Sequence, residues 1–518
     1  MVRAPVRNIG EVVGVIDSTA PAPPRSSLLR RVITYTPGSL VPAALALVTS
    51  MIFTRIFDPV EFGTYSLFLV VASPVKFVFT TWLTQSIGKF IPQEQTVEGR
   101  QRVRDAVFLS TVMVFVVETV LGVVAFVVLQ SVLSQSWRRF LFPVVLFVVV
   151  TSVFEILSTV FSMENRAREF VTYRLVDSVA TLALRLLLVS AVFRMDSTLM
   201  FWSVVASNGV LLPFMWAQAG FPAPTRLVGA LLTEQTRRLA IAFLGFGLPM
   251  TLWYFSSILL DVGDRYVLNF LQGPGQVGVY DASYRLIAGV AALMVVPVTM
   301  TLHPYLMGIS GSDDADRIGR VIGTIVENLF LLGALCVGLT FLLHRDVAKI
   351  LLGSQFRGGS IVMPIVLAGV FFFNIGTFAH KPFEIVGRTR VMVTFGLVSA
   401  AANVVLCFVL IPHVGYIGAA YSTLIAYLFY TVCVGALGRR IFRWHIDLRK
   451  VLVHGGVICG GVAAIHLLRT AMSGLPYVWG LTVTVLAGCV LAAGSLLGLF
   501  RNGLAAATSA PVEGGGSS

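Results

Sequence analysis

The sequence is poor in charge. Asp, Glu, Lys and Arg make up 12% of its 518 residues, about half the share in a water-soluble domain, which leaves too little polar surface to cover a soluble globule. It is also poor in cysteine. Cys336, Cys407, Cys433, Cys459 and Cys489 stand singly in apolar runs with no CxxC, which excludes a disulfide framework or thiolate zinc site and reads as small apolar packing residues. No Gly-x-x-x-x-Gly-Lys-Ser/Thr stretch occurs, so nothing points to an ATP-driven pump. There is no nucleophile motif and no His set at metal-ligand spacing; His303, His380 and His466 fall in different segments. The reading is of a protein that is not an enzyme and needs no cofactor. Strands alternating apolar and polar, the mark of an outer-membrane barrel, are missing too.

What is present is apolar length. Hydrophobic residues make up 56% of the chain, and the mean hydropathy is +0.87. Crossing about 30 Å of hydrocarbon takes about 20 helical residues, and runs of that size recur. They predict an all-α polytopic membrane protein of about fourteen transmembrane helices: 37–56, 64–86, 106–130, 140–162, 174–193, 198–218, 241–261, 279–303, 319–343, 359–380, 391–411, 414–436, 451–469 and 474–499. Residues 1–36, with Pro21-Ala22-Pro23-Pro24 and no cleavable signal, read as a disordered cytoplasmic tail, and 500–518 as a second. An N-lobe of six helices spans 37–218 and a C-lobe of six spans 241–436. A cytoplasmic linker at 219–240 separates them, and 437–499 adds a basic loop and two further helices.

The net charge of +13 needs a location before it implies a partner. With both termini inside, and helix-end residues counted with their loops, the inner segments hold 26 of the 38 Lys and Arg and the outer segments 9. This positive-inside asymmetry makes most of the basicity topological and leaves no call for nucleic acid. It predicts a chain in an inner membrane with both termini cytoplasmic.

The halves echo one another. Phe62-Gly63-Thr64-Tyr65 follows the first helix and Val277-Gly278-Val279-Tyr280 the seventh, 215 residues later. Glu164-Asn165-Arg166-Ala167-Arg168 follows the fourth and Glu384-Ile385-Val386-Gly387-Arg388 the tenth, 220 residues later. Two echoes at equivalent places argue for duplication with the halves in one orientation, the plan of a transporter whose lobes rock around a midplane site.

A charge at the centre of a membrane helix costs at least about 2.5–3.5 kcal/mol, so each needs a partner or a wet cavity. Three cations remain inside the predicted helices: Lys76, Arg185 and Arg285. Lys76 shares a face with Ser73, Thr80 and Thr84. Asp177, Thr181 and Arg185 stand four apart, as do Asp281 and Arg285. These stripes predict a hydrated cavity whose cations hold a diphosphate, arginine as a bidentate fork and lysine as a point charge. The plainer alternative pairs Arg285 with Asp281, and Arg185 with Glu155, Glu118 or Asp177. Glu118, Glu155, Asp261 and Asp264 are candidates for coupling to Na⁺ or H⁺, or else partners for nearby arginines such as Arg265. Asn328, Asn374 and Asn403 read as hydrogen-bonding joints between helices.

Three stretches carry a family resemblance. Thr54-Arg55-Ile56-Phe57-Asp58-Pro59-Val60-Glu61-Phe62-Gly63-Thr64-Tyr65-Ser66 resembles the first helix–loop signature of bacterial polysaccharide-export flippases, the Wzx-type O-antigen group of the multidrug/oligosaccharidyl-lipid/polysaccharide superfamily. Asp264-Arg265-Tyr266 with Gly278-Val279-Tyr280-Asp281-Ala282-Ser283-Tyr284, and Asn403 with Leu410-Ile411-Pro412-His413-Val414-Gly415-Tyr416-Ile417-Gly418-Ala419-Ala420, are similar to its later signatures. The resemblance covers about 37–436. It implies alternating access and a polyprenyl-diphosphate-linked oligosaccharide moved to the outer leaflet for surface polysaccharide. Membrane lipids, a polysaccharide polymerase and a chain-length regulator follow as implied partners. Arg55 and Arg265 carry over as motif arginines near loops; Lys76, Arg185 and Arg285 match no strict motif.

Rival readings stay open. A drug/cation antiporter of the same superfold would want an acidic or aromatic cavity, which the basic stripes disfavour. A lipid II flippase would share the cationic cavity. A membrane polysaccharide polymerase or ligase would want a long outward loop to hold its acceptor.

Overall fold

The computed structural model describes Thr34 and residues 37–94, 96–192, 196–221, 233–309, 315–472 and 477–508. The expected tail 1–36, except Thr34, lies outside them, as do 222–232 in the expected linker and 509–518.

Fourteen long helices follow in order. The first six are α1 (Pro37–Ile56), α2 (Pro59–Gln93), α3 (Val97–Val132), α4 (Gln135–Met163), α5 (Ala167–Val192) and α6 (Leu199–Gln218). The next six are α7 (Glu234–Gln272), α8 (Pro274–Ile309), α9 (Ala315–Leu351), α10 (Val362–Ala379), α11 (Thr389–Val414) and α12 (Tyr416–Gly438), followed by α13 (Leu448–Ala471) and α14 (Tyr477–Thr508). A 3-10 helix at Ser354–Ile361 and a short helix at Lys381–Ile385 flank α10. No strand occurs among the described residues. Eleven of the described spans are long and apolar enough to cross a membrane. α5 is not one of them, and it carries Arg168, Glu169, Arg174, Asp177 and Arg185.

Several helices outrun the predicted spans. The segments 87–105 and 262–278, read from sequence as connections, are almost wholly helical: α2 reaches Gln93 and α3 begins at Val97, while α7 reaches Gln272 and α8 begins at Pro274. Hydropathy ends a span where apolar residues end, but a helix continues for as long as its own backbone bonds are satisfied. Thr96 accepts from the Gly99 amide at 3.0 Å and so starts α3 after a minimal break. Gly273, at φ +81°, ends α7 immediately before Pro274. At the C-terminus α14 runs past 499 to Thr508, into the stretch expected to be a disordered tail.

The packing follows the repeat. α2 packs on α4 as α8 packs on α10; α4 on α6 as α10 on α12; α5 on α6 as α11 on α12; α1 on α5 as α7 on α11. The contacts between lobes obey the same rule, since α1 lies on α8 and α7 lies on α2. Adding six turns the N-lobe pairings into the C-lobe ones, and exchanging helices 1–6 with 7–12 turns α1–α8 into α7–α2, giving two pseudo-symmetric six-helix lobes. The echoed turns match in backbone as well. Asn165 (φ 60°) and Gly387 (φ 71°) are the left-handed residues, and the Arg166 and Arg388 amides donate to Phe161 and Phe383 carbonyls at 2.9 and 2.8 Å. This places Arg166 opposite Arg388, two residues from the alignment that sequence alone suggested. α13 packs on α9, and α14 on α13.

One apolar core spans both lobes. It joins Phe53, Phe57, Phe62 and Phe68 of α1, α2 and their turn to Val277, Leu286 and Ile287 of α8 and to Phe356. There the first echo closes on itself. A Cβ on Gly63 would meet the Pro274 carbonyl oxygen at 1.8 Å, and one on Gly278 would meet the Pro59 oxygen at 2.0 Å. The two lobes touch backbone to backbone through the two glycines that the sequence repeats. A second core, around Phe108, Phe154 and Phe161, also takes in Phe243 of α7, and a third gathers Phe378, Tyr430 and Trp444. Of the cysteines, Cys336 and Cys407 are buried, whereas Cys459 and Cys489 are exposed on α13 and α14, so these two do not serve as the packing residues that the sequence suggested.

Candidate functional site

Arg185, on α5, and Arg285, on α8, come from different lobes and sit within electrostatic range of each other and of Tyr65 on α2. Arg185 rests on hydroxyls: its Nε donates to Ser203 Oγ at 3.1 Å and its Nη1 to Thr49 Oγ1 at 3.5 Å. Among the described residues it has no carboxylate partner within ion-pair distance. The acids suggested for it are engaged elsewhere. Glu155 pairs with Arg174 at 2.8 Å. Glu118 accepts from Ser152 at 2.7 Å. Asp177 accepts from Ser207 at 2.8 Å and Asn208 at 3.0 Å. A guanidinium carries five N–H donors, so Arg185 keeps donors to offer an anion.

Arg285 is bonded to Asp281, one turn away, as the plainer alternative has it. Asp281 is shared, however, for its other oxygen takes Arg265 Nε at 3.0 Å. Arg265 has Asp264 as well, so two carboxylates serve the two guanidiniums; the Arg285 side chain nonetheless remains 31% exposed.

Lys76 lies apart from this pair. It is eleven residues beyond Tyr65 on α2, about 16 Å along the axis, and its field reaches Glu118 and Glu155. It forms no ion pair among the described residues. Lys76 thus belongs to a second polar layer inside the N-lobe, with Glu118 buried on α3, Ser152 and Glu155 on α4, and Arg174 on α5.

The remaining candidates occupy two further places. Arg265 is 3% exposed within α7, not in a loop. It binds Asp264 at 2.9 Å as well as Asp281, and its Nη1 donates to the Asp261 carbonyl. The second oxygen of Asp264 accepts from Tyr280, and from Thr423 at 3.0 Å; Asn403 donates to Thr423 at 3.2 Å and ties α11 to α12. Asp261 accepts from Tyr284 at 2.5 Å and Tyr427 at 3.3 Å. Internal donors thus occupy Asp261 and Asp264, two of the four suggested coupling acids. Arg55 is exposed and donates to the Ile350 carbonyl at 2.5 Å, bracing α1 against the end of α9.

The tyrosines and hydroxyls of this network escaped the sequence reading. Tyr280, Tyr284 and Tyr427 are buried; the first two stood in a quoted signature without a role, and Tyr427 carried no signal. Thr49 and Ser203 carried no signal, because a hydroxyl that bonds its own helix backbone is ordinary in a membrane helix.

Two six-helix lobes with cations set between them define a multi-pass membrane protein of the transporter class. The fold is similar to that of lipid II flippase MurJ in an inward closed conformation, with TM-score 0.68 and 13% identity over 90% of this chain and 100% of that one. It is similar to an inward-facing multidrug resistance MATE family transporter, with TM-score 0.61 and 12% identity over 80% and 98%. It is also similar to a MOP superfamily transporter from Pyrococcus furiosus described as having a binding pocket of reverse polarity, with TM-score 0.58 and 12% identity over 82% and 96%. At such identities the likeness is one of fold. The family described as "Polysaccharide biosynthesis protein" matches residues 28–310, more than half of the sequence, and the chain belongs to that family. This places it among the flippase-type transporters of polysaccharide biosynthesis. No curated protein matches the sequence.

Proposed function

We propose that this protein moves a polyprenyl-diphosphate-linked oligosaccharide from the cytoplasmic to the outer leaflet of a bacterial inner membrane, by alternating access and without chemical conversion. The observation that carries the reading is the pair Arg185 and Arg285. Arg185, on the N-lobe, is held by neutral hydroxyls alone, and Arg285, on the C-lobe, lies within its electrostatic reach. A diphosphate supplies the missing negative charge and fits two guanidinium forks at once. A cationic drug would meet repulsion at the same place, which disfavours the antiporter reading. Lys76, in its own layer, serves as a second contact along the path of the headgroup, while Arg55 and Arg265 hold the helices that present the pair.

Deleting the gene is expected to trap lipid-linked oligosaccharide on the cytoplasmic face, and wild-type protein to restore surface polysaccharide. Alanine at Arg185 or Arg285 is expected to stall export while membrane insertion stays normal. Full surface polysaccharide from both variants at normal protein levels sinks the proposal.

A further inference from the structure

The turn between α9 and α10 gathers charge that transport between the lobes does not use. The end of α9 and the 3-10 helix Ser354–Ile361 enclose an open pocket of about 460 Å³, lined by His344, Arg345, Lys349, Arg357 and Ser360 among others. Its floor is buried, with His344 Nδ1 3.1 Å from Ser360 Oγ. Its walls are three exposed cations, Arg345, Lys349 and Arg357. None of the three has a carboxylate partner among the described residues. Asp346, the acid nearest in sequence, is 4% exposed and already engaged by Arg469 at 2.6 Å and the Tyr477 hydroxyl at 2.8 Å.

Three like charges around one basin repel each other unless an anion joins them. The positive-inside pattern does not account for them either. In the topology read from sequence this end faces outward, where only 9 of the 38 Lys and Arg fall, and three of those nine line this pocket. The surroundings identify the kind of anion. Phe341 and Ile350 on α9 and Trp479 on α14 are large apolar side chains left exposed; the Phe341 ring lies 6.4 Å from that of His344, and Lys349 Nζ stands 4.1 Å from the Tyr477 ring centroid. A basic basin with an aromatic and aliphatic rim at a helix end matches an amphiphile, with the headgroup in the basin and the chain along the rim.

We propose that this pocket binds the phosphate headgroup of a membrane lipid, at a site separate from the one between the lobes. An anionic glycerophospholipid and a polyprenyl phosphate share that chemistry. The test uses the full chain in phosphatidylcholine nanodiscs titrated with phosphatidylglycerol, with retained lipid counted by native mass spectrometry. The wild type is expected to retain phosphatidylglycerol over phosphatidylcholine. The variant Arg345→Gln/Lys349→Gln/Arg357→Gln is expected to bind it about a hundredfold more weakly, the ordinary loss for three basic side chains at an anionic surface. Lys349→Arg is expected to bind as the wild type does. Should the triple variant fail to fold, Arg357→Gln alone is expected to weaken retention severalfold. Competition with polyprenyl monophosphate tells which lipid the pocket prefers, and retention of either supports the proposal. Equal retention of phosphatidylcholine, undiminished binding in the charge-neutral variants, or displacement by inorganic phosphate as effective as by lipid overturns it. The readout is binding and not flipping, so its failure leaves the transport proposal standing.

Discussion

Arg185 and Arg265 show two ways of keeping a guanidinium inside a helical bundle. Arg265 is closed in by Asp264 and Asp281, so removing one acid leaves a buried charge short of a partner. Asp264→Ala is expected to destabilise the fold by about 3 kcal/mol, the usual cost of breaking a buried pair, read as a lowered thermal midpoint in detergent. If Asp264 instead served to couple transport to Na⁺, Asp264→Asn would leave the midpoint unchanged and abolish sodium dependence. Arg185 has only hydroxyls, so its loss is expected to leave the midpoint nearly unchanged. Binding of a diphosphate lipid should weaken about tenfold to a hundredfold, the range for one charge-assisted contact, and Arg185→Lys should restore part of it. A thermal midpoint that falls as far for Arg185→Ala as for Asp264→Ala would make Arg185 a structural residue.

Among the elements, α7 packs on α2 across the lobes, and α2 and α8 meet glycine to glycine. Their glycines sit where any side chain would strike backbone, so Gly63→Ala or Gly278→Ala is expected to push the helices apart at that end. In a background freed of native cysteines, a cysteine at Ser66, which is 0% exposed, should then react with a water-soluble maleimide several times faster. Unchanged labelling would mean that the close approach does not hold that end shut. The same elements mark what the sequence could reveal. Apolar runs located all fourteen helices, and the echo between Phe62-Gly63 and Val277-Gly278 announced the lobes, because burial and duplication leave local traces. The reach of α7 through Asp261, Asp264 and Arg265 stayed hidden, since polar residues beyond an apolar run look like a loop whether or not the helix continues. The stripes on α5 and α8 were legible as stripes. That Arg185 and Arg285 come within electrostatic range of each other, and Lys76 within range of Glu118 and Glu155, depends on how separate helices pack and leaves no periodicity to read.

At the scale of the whole molecule, two lobes share a core at the end where the glycines meet, and a second core, built on the N-lobe, takes in Phe243 of α7. On the proposed mechanism the lobes rock about this shared core and its glycine contact. In the proposed mechanism lobe motion and anion binding meet at the Arg185–Arg285 pair, whose members belong to different lobes. The direct measurement is flipping of a fluorescent polyprenyl-diphosphate-linked sugar by the purified chain in sealed vesicles, comparing wild type with Arg185→Gln/Arg285→Gln. Wild-type vesicles should expose the label to an external quencher, and the double variant, inserted to the same level, should do so at no more than the rate of protein-free vesicles. Equal flipping by both proteins would contradict the account.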